Sequence, residues 1–252
     1  MPTTPTIAFV HGAFADSGGW SATISALDAA GLPVIAISNQ LRGLAPDADH
    51  VRSVLATIQG PVVLVGHSYG GAVIGEAARR ADNVAALVFV AAYILDEGES
   101  IATVLDPVRF PGSLLGPDTL VERPFGNPSA PGGTDTDLYI AVPRFSEVFA
   151  ADLPQDRSRL MALMQRPLSV SALTAAADAR PAWHDTPCWA LVAEQDNAIP
   201  PAGQHWMANR AGATLGTVAA SHAVMISQPV AVTETILEAV ESVTGKREPA
   251  RK

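Results

Sequence analysis

The sequence predicts an α/β protein built on one mostly parallel sheet with helices on both faces, and three observations predict it. Short apolar runs alternate with amphipathic stretches through residues 6–95. Each run is apolar throughout rather than at every second position, as expected of strands covered on both sides. The same alternation resumes near residue 187. A chain of 252 residues suits one large domain or a domain carrying one insertion.

Taken in order, Thr6–Val10 reads as the first strand, followed by a glycine-bearing loop and a helix through Trp20–Ala30. Pro33–Ser38 reads as the second strand and Ala48–Ile58 as the second helix. Pro61–Val65, Gly71–Ala81 and Val84–Tyr93 continue as strand, helix and strand. The pattern then breaks. Pro107, Pro111, Pro117, Pro124, Pro128 and Pro131 punctuate the next stretch, with Gly132-Gly133 among them. Helix-like segments follow at Arg144–Ala151, Gln155–Gln165 and Ser169–Asp178. No strand of comparable quality occurs between Leu95 and Thr186, and a segment this long is more than a connection. It is therefore read as a helical lid of residues 96–186, inserted after the fourth strand into a core of residues 1–95 and 187–252. In the second part of that core, strand Cys188–Ala193, helix Ala202–Ala211, strand Thr214–Ala219 and helix Val230–Val243 follow. The tail Lys246–Lys252 is charged and expected to fray.

Composition narrows the function. With 48% hydrophobic and 16% charged residues, the chain can bury a sizeable core. A net charge of −9 with no long basic run makes nucleic acid a poor partner. Cys188 is the single cysteine, which excludes an intrachain disulfide and a thiolate metal cluster and fits a reducing cytoplasmic compartment. Nothing basic flanks it, so it is expected to be an inert core residue. The N-terminal residues show no basic region of a secretory signal, and Val84–Leu95 is too short to span a bilayer, so no membrane association is expected. Metalloprotease, phosphate-loop and dinucleotide motifs are missing, and no metal or cofactor is inferred. Composition leaves the oligomeric state open.

The strongest chemical signal is Gly66-His67-Ser68-Tyr69-Gly70-Gly71, which directly follows one apolar strand and directly precedes a helix. This is the context in which G-x-S-x-G forms a sharp strand-to-helix elbow presenting a nucleophilic serine. Gly66 and Gly70 leave the turn room, and the helix N-terminus favours negative charge developing on a substrate. A tetrahedral intermediate needs two N–H donors at its oxyanion. Tyr69 N–H supplies one, and the loop His11-Gly12-Ala13-Phe14 supplies the other through Ala13, with Gly12 permitting close approach. Ser68 also needs a base. Of His11, His50, His67, His184, His205 and His222, the last follows the final strand and should project at the same sheet edge as Ser68. His11 is read as shaping its loop. Asp196, just past strand Cys188–Ala193, is the first candidate to orient His222, with Asp96 and Glu194 as rivals. The chain order Ser68, Asp196, His222 is the order expected of such a triad.

With these motifs in place the chain resembles the α/β-hydrolase superfamily, and within it bacterial esterase-like members similar in layout to plant methyl esterases. The resemblance rests on His11-Gly12-Ala13-Phe14, on Gly66–Gly71, on Trp183 to Pro201 and on Ser221-His222-Ala223-Val224. It implies a cofactor-free acyl hydrolase with helices capping the site. The extra N-terminal antiparallel strands of larger members are expected to be absent, leaving about six mostly parallel strands. Ser68 stands where dehalogenases and epoxide hydrolases on this fold carry an aspartate. Hydroxynitrile lyases of similar layout carry a threonine where Gly12 stands and a lysine where Ala223 stands, so hydrolysis is favoured. The expected partner is a small ester-like substrate, apolar and uncharged. Phe14, Phe145, Phe149, Met161, Met164 and Trp183 are the candidates to line its pocket. Lactone, C–C-bond or perhydrolytic chemistry with the same triad, or a binding protein of negligible turnover, are the alternatives.

Overall fold

A computed structural model describes residues 4–245, so the tail Lys246–Lys252 lies outside the described residues. Along the chain, β1 (Thr6–Val10), α1 (Ser21–Ala29), β2 (Val34–Ile37), α2 (Leu44–Leu55), β3 (Val62–His67), α3 (Tyr69–Ala77) and β4 (Val84–Val90) come first. The next stretch holds β5 (Leu120–Gly126), β6 (Thr134–Ile140), α4 (Phe145–Phe149), α5 (Gln155–Met164), β7 (Leu168–Ser169) and α6 (Val170–Thr174). The chain then forms β8 (Cys188–Ala193), α7 (Pro201–Arg210), β9 (Thr214–Val218), α8 (Val224–Ser227) and α9 (Pro229–Val243).

Six strands form the main sheet in the order β2-β1-β3-β4-β8-β9, and every pair in it is parallel. Consecutive side chains along a strand point to opposite faces, and here each face carries its own apolar core. Ile7 and Phe9 of β1 join Val63 and Val65 of β3 against Leu27 of α1 and Val232, Ile236 and Ala239 of α9. Ala8, Val10, Val62 and Leu64 pack on the other face against Ala48, Val51 and Leu55 of α2 and Val73, Ile74 and Ala77 of α3. This double coverage is why the central strands β4 and β8 are apolar at every position. Among the described residues no helix is long and apolar enough to cross a membrane.

Two elements depart from the sequence reading. The segment between β4 and β8 is not purely helical: β5, β6 and β7 form a three-stranded antiparallel sheet beside its helices. Most of β5 is exposed, and Pro124 lies within it, opposite Thr136. An exposed edge strand has no apolar face to show in sequence, and proline, with no N–H to donate, is tolerated there. The second departure is the start of α2, at Leu44 rather than Ala48. Pro46 sits in its first turn, where N–H groups have no partner within the helix, so proline does not break it. The Asp47 carboxylate instead collects the backbone N–H of Arg42 at 3.1 Å, ahead of the helix.

Candidate active site

Strand β3 delivers Ser68 to the edge of the sheet and α3 begins at the next residue. Ser68 takes φ 52° and ψ −123°, a conformation that side-chain-bearing residues rarely adopt and that strands and helices cannot supply. The turn is held by backbone: Gly71 N–H donates to Ser68 O at 2.9 Å, and Tyr93 N–H to the same oxygen at 3.1 Å. A Cβ on Gly66 would lie 2.6 Å from Gly70 O, and one on Gly70 would lie 2.4 Å from Val10 O. Both contacts are with backbone, so the elbow cannot close this tightly with any other residue there. Gly12 is fixed by the same logic, since its Cβ would meet Ser68 Cβ at 2.6 Å.

His222 and Asp196 come together 26 residues apart in sequence, with Nδ1 to Oδ2 at 2.7 Å. Asp196 is 3% exposed and its carboxylate is fully satisfied. Ala198 N–H and Ile199 N–H donate to Oδ1 at 2.7 and 2.9 Å, and Gln204 Nε2 donates to Oδ2 at 2.8 Å. The rivals are engaged elsewhere: Asp96 with His184 at 3.0 Å, and Glu194 with His205 at 2.8 Å. Ser68 and His222 border one cavity of about 490 Å³. Among the described residues no side-chain hydrogen bond joins Ser68 Oγ to His222. Ala13 and Tyr69, both buried, border the same cavity, and their N–H groups have no acceptor among the described residues. Unspent donors beside a nucleophile are what an oxyanion needs.

The His222 ring is held by its neighbours. It lies 4.8 Å from Phe149, edge to face, and 4.7 Å from His67. His67 Nε2 donates to the backbone oxygen of His222 at 2.9 Å, while its Nδ1 is buried without a hydrogen-bond partner among the described residues. Burial, helped by His222, holds the His67 pKa well below the ordinary value, so it serves as a neutral prop. The residue before His222 is tied to the segment between β4 and β8: Asp152 accepts Ser221 N–H at 2.9 Å and Ser221 Oγ–H at 2.5 Å.

His11 is likewise structural in its contacts. Its Nδ1 bonds Gly12 O at 2.9 Å and its Nε2 accepts Asn39 N–H at 3.0 Å. Burial lowers its pKa from 6.5 to about 4. Because the folded state binds this proton more weakly than the unfolded chain, the contribution is complete above pH 6.5 and is lost as pH falls towards 4. The gap corresponds to roughly 3 kcal/mol. Urea unfolding at pH 7.5, 6.0 and 4.5 is therefore expected to show wild-type stability falling more steeply than that of His11→Gln. Parallel profiles would contradict a buried neutral His11.

The structure redistributes the pocket candidates. Phe14 and Phe149 border the Ser68 cavity. Phe145 does not, because it is fully buried and stacks behind Phe149 at 5.1 Å. Trp183 is also off that wall, donating its indole N–H to Leu95 O at 2.8 Å and stacking on His184. Met161 and Met164 line a separate groove on α5. The wall is supplied instead by residues such as Tyr93, Ile101, Leu105, Phe110, Leu138 and Ile199. Several belong to the proline-rich stretch, where no periodicity marks an inward face. Sequence reasoning also missed Gln204, Asp152 and Asp47, the last accepting Tyr69 O–H at 2.8 Å. Each is a lone polar residue with no motif around it, and only the fold gives it a partner. Cys188 is buried, and burial pushes its thiol up to about 12. Among the described residues no three His, Cys, Asp or Glu side chains group as metal donors.

A model of the alpha/beta hydrolase family matches residues 7–235, nearly the whole described chain. The chain belongs to that family. A carbendazim hydrolyzing esterase of Nocardioides sp. (strain SG-4G) is 36% identical to this hydrolase-family chain over 111 residues, which is 38% of this chain and 45% of that protein. The match thus spans less than half of that relative's length. Among solved structures, polyneuridine aldehyde esterase superposes with a TM-score of 0.76 at 20% identity, covering 94% of this chain and 99% of the other. A methylesterase from Arabidopsis has a TM-score of 0.76 at 18% identity, covering 94% and 99%. A pyrethroid hydrolase from Sphingobium faniae JZ-2 has a TM-score of 0.76 at 23% identity, covering 95% and 98%. At these identities the likeness is one of fold, and it identifies the six-stranded sheet with its surrounding helices as the α/β-hydrolase architecture.

Proposed function

We propose that this protein is a serine esterase that cleaves small, uncharged, apolar carboxylic esters through an acyl-enzyme. The observation that carries the reading is the 2.7 Å bond between His222 and a fully satisfied Asp196, on the cavity that Ser68 enters from a strained elbow. In this reading His222 Nε2 takes the Ser68 proton as Oγ attacks the ester carbonyl. The oxyanion that forms accepts from Ala13 and Tyr69 N–H. His222 then gives its proton to the departing alkoxide, and the alcohol leaves. Water, deprotonated by His222 in turn, attacks the acyl carbon, releases the acid and restores Ser68. The esterase names of the relative and of two structural neighbours agree with this chemistry.

The cavity wall supports the choice of neutral substrates. Among its described residues it presents no lysine or arginine, and its one carboxylate is Glu122. A substrate carboxylate would lose hydration there without gaining a cation, at a cost of several kcal/mol. Neutral p-nitrophenyl esters are therefore expected to exceed a hemisuccinate ester of matched size in kcat/KM by at least tenfold. Equal turnover of the two would overturn this picture of the wall.

A further inference from the structure

A second groove shares Phe14 with the Ser68 cavity. It has a volume of about 250 Å³ and is lined by Leu160, Met161, Met164, Met225 and Ile226, with Asp16 and Arg157 also on its wall. Phe14 is the one residue that borders both this groove and the Ser68 cavity among the described residues. Its backbone holds φ 60°, an outlier for a bulky side chain. Such strain persists only where the surroundings enforce it, and it concentrates at ligand clamps and gates. Here Phe14 N–H donates to Arg166 O at 2.9 Å, just past the end of α5, the helix that supplies Leu160, Met161 and Met164 to the groove's wall. Leu160 and Met164 on that helix are 59% and 66% exposed. The groove thus joins exposed apolar side chains, Leu160 and Met164, to half-buried Met161 and fully buried Met225, with buried Phe14 on the same wall.

We propose that this groove is a second substrate subsite, which takes the far end of an unbranched apolar chain whose ester carbonyl sits at Ser68, and that the Phe14 ring is the gate between the two compartments. The assignment rests on the esterase reading for the identity of the reacting end, while the groove's affinity for an apolar chain stands by itself. Methionine suits such a wall, because its flexible, polarisable side chain adapts to chains of different shape. Its most buried wall residue is Met225, and its cation, Arg157, is exposed, so the chain is expected to end in an apolar group.

The test compares p-nitrophenyl butanoate, octanoate and decanoate in wild type, Phe14→Ala, Met161→Glu and Met164→Glu. Each methylene that finds an apolar wall is worth about fourfold in kcat/KM. The decanoate-to-butanoate ratio is expected to rise at least fivefold in Phe14→Ala, where the gate is removed. It is expected to fall at least fivefold in Met161→Glu and in the same direction in Met164→Glu, whose exposed position makes misfolding no concern. A ratio unchanged in both methionine variants would overturn the subsite. A second arm does not depend on turnover: calorimetric binding of n-decanol to the Ser68→Ala protein. It is expected to weaken at least fivefold when Met161→Glu is added, whereas equal binding would overturn the proposal. Loss of all ester turnover with decanol binding intact and Met161-dependent would refute the esterase reading and leave the groove standing.

Discussion

Replacing Ser68 with alanine is expected to lower kcat for a neutral ester by on the order of 10⁴–10⁶-fold, with no loss of fold. The asymmetry between those two effects follows from the elbow. Ser68 is 5% exposed, and its backbone N–H and C=O make the bonds that hold the turn. Its hydroxyl makes no side-chain hydrogen bond among the described residues. Alanine meets the same backbone strain at φ 52° that serine does, so the thermal midpoint should stay within a few degrees of wild type. What disappears is the atom that forms the acyl-enzyme. A fluorophosphonate probe should add once to the wild-type protein, on the peptide carrying Ser68, and not to Ser68→Ala. Undiminished labelling of the variant would move the nucleophile elsewhere.

Asp196→Asn is expected to cost on the order of 10²–10⁴-fold in kcat while the protein remains folded. The size of the effect comes from how the carboxylate is surrounded. Oδ1 accepts two backbone N–H groups, from Ala198 and Ile199, and Asn can keep both through its carbonyl oxygen. Its amide nitrogen then falls where Oδ2 accepts from His222 Nδ1 and Gln204 Nε2. Gln204 cannot turn over to help, because its Oε1 accepts Ala193 N–H and its Nε2 also serves Ile199 O. Donors would face donors. The relief open to His222 is to carry its proton on Nε2, the atom that must accept from Ser68. Asp96→Asn should stay within a few-fold of wild type, since Asp96 bonds His184 away from the cavity wall. A larger loss at Asp96 than at Asp196 would reassign the acid.

Much of the scaffold is legible in the sequence for a physical reason. Strands Thr6–Val10 and Cys188–Ala193 have the bounds that their apolar runs mark, because a strand packed on both faces has no polar positions to blur its ends. The hairpin Leu120–Ile140 is not legible, since an exposed strand interrupted by proline carries neither alternation nor an apolar run. At the site, Ser68 is marked by glycines that the close approach of backbone demands, and His222 and Asp196 by their places after strands. The pocket wall is not marked at all. Met161 and Met164 are apolar residues on a helix near the cavity, as read, yet the rotation of α5 turns them to a different groove. Spacing along a helix tells which residues share a face, and tertiary packing decides what that face meets.

The clamp of Asp152 on Ser221 bears on how such a site opens. The carboxylate leaves the segment between β4 and β8 and grips the residue next to His222 by both backbone and hydroxyl, while Phe149 of the same segment abuts the imidazole ring. The segment between β4 and β8 and the loop of His222 are thus tied together by hydrogen bonds and ring contact. In the proposed esterase reading, any movement of this segment away from the site would therefore loosen the residue beside His222 as well.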